Sequence, residues 1–153
     1  THGASGDQFV GYQYEMGCAI TFSFISDRAV NDAKIVLRLS AEYADFTMNW
    51  EENRVELNGK VIEYSDIKFE NVPNPGGDLD TSRLYALPFE DFVIIENATL
   101  VEGMNSVNIT TNNNNTLEGT TFKATAPLID CLKVTTSAIL EWARRNNLPK
   151  HYT

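Results

Sequence analysis

A chain of 153 residues is long enough to bury one sizeable core, and its 42% hydrophobic and 22% charged content is that of a globular protein rather than a disordered one. Twelve basic against 21 acidic residues leave a net charge of −9. That balance argues against nucleic acid and against an anionic membrane surface, since both are held by Lys and Arg. No apolar run approaches the length of a membrane span, so membrane insertion is not expected.

The dominant hydrophobic period is two. Near the N-terminus, Ile20, Phe22 and Phe24 alternate with Thr21 and Ser23, which reads as a half-buried strand. Ala33 to Leu39 alternates again. Val55-Glu56-Leu57 runs into Asn58-Gly59 and resumes at Val61 to Glu63; Asn-Gly between two such runs predicts a hairpin, because both residues tolerate positive φ. Pro73-Asn-Pro-Gly-Gly77 marks an exposed loop. Phe89 to Glu96 is a more continuous apolar strand. Gly103 and Asn105 sit where a tight turn belongs, and Val107 and Ile109 form the next strand. Asn112 to Asn115 reads as a polar tip. Thr121 to Ala126 is expected as a short strand, followed after a proline by Ile129 to Val134. The last stretch, Ile139 to Trp142, is read as a final strand; a helix over 138–145 is the alternative. Strands every 8–15 residues with turn signals between them predict an all-β sandwich. Residues 1–142 form that domain in this reading, and 143–153 a tail or linker.

Catalytic constellations are missing. The two histidines, His2 and His151, lie near the termini, where neither serves an internal triad or zinc site. There is no Gly-x-Ser-x-Gly elbow and no phosphate-binding glycine loop. Acid pairs such as Glu51-Glu52 and Glu90-Asp91 suit solvated surface, and a glycosidase is the third-ranked reading. Asp78-Leu-Asp80-Thr-Ser82 fails as an EF-hand loop, because Arg83 stands where glycine is required. Cys18 and Cys131 can pair or stay free. Asp130 stands out as an acid inside an apolar strand, where an unpaired carboxylate is costly.

Taken in order, these segments resemble a known type of domain. Ala4-Ser-Gly-Asp-Gln-Phe-Val-Gly-Tyr12 is similar to the "Gly-Gly-x-Tyr/Phe-Val-Gly" opening of carbohydrate-binding modules of the family 6 and 35 type. Ala33 to Ser40 resembles their "Ala-x-Leu-x-Leu-Arg-x-Ser", and Val55 to Lys60 their "Val-x-Leu-Asn-Gly-Lys". Leu100 to Thr110 resembles "Leu-x-x-Gly-x-Asn-x-Ile-x-Leu-Thr", and Leu128 to Leu132 the closing "Asn-Ile-Asp-Tyr-Ile". The resemblance covers about Ala4 to Val134. It implies a galactose-binding-domain-like jelly roll of two antiparallel sheets, with a structural calcium and sugar-binding loops. It also implies a non-catalytic role in a multidomain bacterial protein, extracellular or at the cell surface, with a polysaccharide or glycan as partner.

Carried over by residue, the family's metal-binding aspartate is Asp130; backbone amides capping that carboxylate are the alternative. Asp7 and Glu15 are further calcium candidates by proximity in sequence. Aromatic rings stack on pyranose faces and asparagines both donate to and accept from hydroxyls. Tyr12, Tyr43 and Trp50 are therefore candidate platforms, and Asn112 to Asn115, with Asn113 and Asn114 at the centre, candidate polar contacts. Phe92 stands where the family often has a sugar-binding Trp, and Pro127-Leu128 where it often has a sugar-binding Asn. A ligand-free spacer of the same fold is the second reading.

Overall fold

The structure, a computed structural model, describes residues 10–11, 13–42, 46–69 and 89–143. Asp7, Tyr12 and Tyr43 lie outside them, as do the 73–77 loop, Asp78, Asp80 and the tail from 144 onward. Ten strands follow in order: β1 (Ala19–Ser26), β2 (Val30–Ser40), β3 (Thr47–Met48), β4 (Asn53–Leu57), β5 (Lys60–Val61), β6 (Ile67–Lys68), β7 (Glu90–Leu100), β8 (Gly103–Thr111), β9 (Leu128–Thr135) and β10 (Leu140–Trp142). There is no helix among the described residues.

Two antiparallel sheets build the sandwich, in the orders β10-β1-β8-β4-β5 and β7-β2-β9; β3 and β6 make a small separate pair. The period of two explains which face each residue takes. In β4, Asn53, Val55 and Leu57 are buried while Arg54 and Glu56 are not; in β8 the buried set is Asn105, Val107, Ile109 and Thr111. Phe24, Val55 and Val107 from the larger sheet join Ile35, Leu37 and Ile129 from the smaller in one apolar cluster. Each such side chain contributes roughly 1.5–3 kcal/mol when fully buried.

The Asn58-Gly59 hairpin forms as expected, with φ of 52° and 81°, a backbone that only these residue types adopt cheaply. β7 turns into β8 at Val101-Glu102, and Gly103 takes φ of 93°. Asn105 closes that turn from inside. Its Oδ1 accepts from Val101 N and Asn58 Nδ2, and its Nδ2 donates to the carbonyls of Val101 and Gly103. Asn58 Oδ1 in turn accepts from Ser106 N, so two turns of different hairpins are locked together at one end of the sandwich.

The expected C-terminal strand is present: Phe24 stands opposite Trp142 in β10, and Ala143 N donates to Ser23 O. Thr121 to Ala126 is not a strand, which corrects the sequence expectation. Its alternation survives in burial, with Phe122, Ala124 and Ala126 inside and Thr121 and Lys123 outside. Individual clamps rather than a ladder hold it. Phe122 stacks on Tyr14 at 3.8 Å, Lys123 N donates to Tyr14 O, and Asn113 grips Thr125.

Candidate functional site

The loops that follow β8 and precede β4 and β9 meet at the end of the sandwich opposite the Asn58–Asn105 lock. Trp50 sits in the turn between β3 and β4. That turn is fixed locally: Asn49 Oδ1 accepts from Glu52 N at 3.0 Å, and Asn53 N donates to Asn49 O at 2.8 Å. Trp50 is half-buried and packs against the core cluster. With Glu51, Arg54, Val61, Glu63 and Asn112 it lines a hollow of about 350 Å³. Arg54 and Glu56 point away from the core on β4, and the guanidinium lies 3.9 Å from the Glu56 carboxylate.

The asparagine run holds this turn in place rather than forming a free tip. Asn112 N donates to Glu52 O, and Asn112 Nδ2 to Glu51 O. Asn113 is only 7% exposed. Its Nδ2 donates to the carbonyls of Glu52 and Thr125, and its Oδ1 accepts from Thr125 N and Asn115 N. An amide engaged in this way has little left for a sugar hydroxyl, so Asn113 is corrected from ligand contact to structural bracket. Asn114 is exposed and reaches only the Met16 thioether, at 3.4 Å; it does not line the hollow. Asn115 Nδ2 contacts the Glu52 carboxylate. The member of the run that reaches the hollow is Asn112.

Phe92 lies on β7, in the smaller sheet. Half-buried, it packs against the core with its ring edge-on to Phe69 at a centroid distance of 5.5 Å, and it is not among the residues that line the Trp50 hollow. Sequence reasoning missed Trp142. It is 49% exposed on the edge strand β10, beside a hollow of about 250 Å³ that includes Lys133 and Glu141.

Asp130 finds its partner in a side chain and not in backbone amides alone. Arg38 pairs with Cys131 and Leu39 with Ile129, so the β9 register shifts around Asp130. A bulge of this kind re-aims a side chain. The Asp130 side chain is fully buried, and its Oδ2 lies 2.9 Å from Arg38 Nε. Arg38 also approaches Asp91 at 3.7 Å. Lys133 donates to Asp91 at 2.9 Å, and that hydrogen bond, with the charge behind it, holds the Asp91 carboxyl below its ordinary range.

A calcium ion needs six to eight oxygens, several of them carboxylate. Asp130 is already neutralised by Arg38, and Glu15, exposed, lies 3.7 Å from Lys123 Nζ. Among the described residues no three His, Cys, Asp or Glu side chains come together around one point. Asp7, the third candidate, lies outside the described residues. Cys18 and Cys131 are free thiols.

One buried acid stands apart. Glu42, just past the end of β2, is 5% exposed, and among the described residues its Oε2 has no hydrogen-bond partner. Burial pushes its carboxyl above the ordinary value, partly offset by the nearby Tyr14 hydroxyl.

No protein-family profile matches the chain, and no curated protein does. Solved structures match in fold. A family 35 carbohydrate binding module from an environmental isolate aligns over 92% of this chain and 81% of its own, at 16% identity and a TM-score of 0.58. Xyl-CBM35, solved in complex with a glucuronic acid-containing disaccharide, aligns over 93% and 82%, at 14% identity and 0.56. The CBM35 from Cellvibrio japonicus Abf62 gives the same coverage and identity, with a TM-score of 0.60. The chain has the β-sandwich fold of these modules, as the ordered motifs led one to expect.

Proposed function

We propose that this chain is a non-catalytic carbohydrate-binding module that takes glycan at the Trp50 hollow. The observation that carries the reading is Trp50 itself. Its indole is held by core packing and by a hydrogen-bonded turn, so a flat apolar face is ordered before any ligand arrives. Around it stand acceptors, the Glu51 and Glu63 carboxylates, a donor, the Arg54 guanidinium, and the Asn112 amide, which offers both. That is the chemistry of a sugar ring, apolar on its face and polar at its rim. The names of the structural neighbours, all carbohydrate-binding modules, support the same role.

Affinity electrophoresis over a broad polysaccharide panel tests it. A retarding glycan is expected, with Trp50→Ala weakening the interaction about tenfold, or about 1.4 kcal/mol. Trp142→Ala should leave that glycan's retardation nearly unchanged. Retardation that persists in Trp50→Ala and disappears in Trp142→Ala would move the site to β10. No retardation anywhere on the panel favours the second reading, a ligand-free spacer, which the use of Asn113 and Phe92 inside the fold already supports.

An extracellular or cell-surface setting in a larger multidomain bacterial protein is proposed on the resemblance. Calcium is a separate proposal on the same footing, and no step in sugar binding runs through it. A higher Tm when Ca²⁺ is returned to chelated protein supports the ion; an unchanged Tm rejects it.

A further inference from the structure

We infer that the Trp50 hollow selects by charge, taking amino sugars that carry a protonated amine ahead of neutral sugars and turning uronates away. The inference rests on the glycan reading and names its ligand class. Two carboxylates, Glu51 and Glu63, line the hollow, and among the described residues neither is ion-paired. The cation in the lining, Arg54, is answered by Glu56. Glu52, bonded to Asn115, stands just behind the turn. A sugar carboxylate placed on Trp50 would thus meet more negative than positive charge, with Glu51, Glu63 and Glu56 around the one guanidinium. An ammonium would meet opposite charge and the face of an indole, the ring that attracts cations best. This is the reverse of the charge on the glucuronic acid ligand bound by the neighbour Xyl-CBM35.

The surface continues past one sugar. Val61 and Glu63 also wall a second hollow of about 620 Å³, between β5 and β7, lined further by Lys60, Ile95, Asn97 and Thr99. The two adjoining spaces suit a short chain of sugars rather than a single terminal residue. The net charge of −9 favours approach of a cationic chain, an effect that salt weakens.

Calorimetry with a glucosamine tetramer, its N-acetylated counterpart and a galacturonate tetramer tests this near pH 5.5, where carboxylates are ionised and the sugar amine is protonated. The glucosamine tetramer is expected to bind about fivefold or more tighter than the N-acetylated one, with no binding of the uronate. The preference should vanish in the Glu51→Gln/Glu63→Gln variant and shrink in 0.5 M salt. Equal binding of both glucosamine forms, lost in Trp50→Ala, overturns the charge inference and leaves the sugar reading standing. Uronate binding at or above the others overturns it too. A glucosamine preference that survives Trp50→Ala overturns it as diffuse attraction to an acidic protein. No binding of any tetramer, together with no retardation on the polysaccharide panel, removes both readings.

Discussion

Each end of the sandwich is closed by a buried asparagine, and the two are used differently. At the hairpin end, the Asn105 amide makes four hydrogen bonds that join the two neighbouring turns, and Asn58 adds two more to Ser106. At the loop end, Asn113 shares its duties. Glu52 O also accepts from Asn112 N, and Thr125 O from Asn53 Nδ2. The hairpin end borders the hollow between β5 and β7, which Leu57, Asn58 and Val101 help to line. The loop end supports an aromatic ring and two carboxylates at its surface. Asn105 ties two hairpin turns to each other, whereas Asn113 ties together the loops that carry Trp50.

Substitution at the two brackets breaks the comparison most sharply. Asn105→Ala should cost about 3 kcal/mol in urea unfolding, since a fully buried amide that makes four hydrogen bonds is lost. It should leave glycan retardation by the folded protein intact. Asn113→Ala should cost less, about 1.5 kcal/mol, because neighbours cover for it. It should nevertheless weaken retardation, since it loosens the turn that carries Trp50. Equal costs, or weaker binding in Asn105→Ala alone, would remove the distinction between the two ends.

A smaller effect sharpens the picture of the loop end. Glu42 holds its proton more tightly in the fold than in the unfolded chain. Its contribution is therefore fully present below the ordinary glutamate range. It declines as pH rises toward the raised folded value, because over that window the folded state binds more protons. Glu42→Gln removes the titration. The variant should match the wild type in stability near pH 4 and exceed it by about 1 kcal/mol near pH 7.5. Parallel Tm-against-pH curves for the two proteins would sink this account.

Much of the fold was legible in the chain. Period-two runs and the Asn-Gly pair located β1, β2, β4, β8 and β9, because a half-buried strand writes its two faces directly into alternate residues. Ile139 to Trp142 was legible for the same reason. Thr121 to Ala126 carried that signature too, yet its backbone is held by isolated bonds to Tyr14 and Asn113 and not by a ladder. Alternation records which residues are inside, not what their amides bond to. The site was less legible. Trp50 stood out as an aromatic in a polar run and does line a hollow. Asn113 and Phe92 looked like ligand contacts because residue type alone does not say whether an amide is already spent or a ring already packed.

Sequence by itself determined an all-β chain, its turns and the inward face of each principal strand, since these depend on neighbours one to four residues away. Tertiary structure alone decided the rest. It set which strands became edges, that the register of β9 shifts at Asp130 and delivers its carboxylate to Arg38, and which of four consecutive asparagines faces the hollow. Those outcomes depend on residues tens of positions apart, brought together only when the two sheets close on their common core.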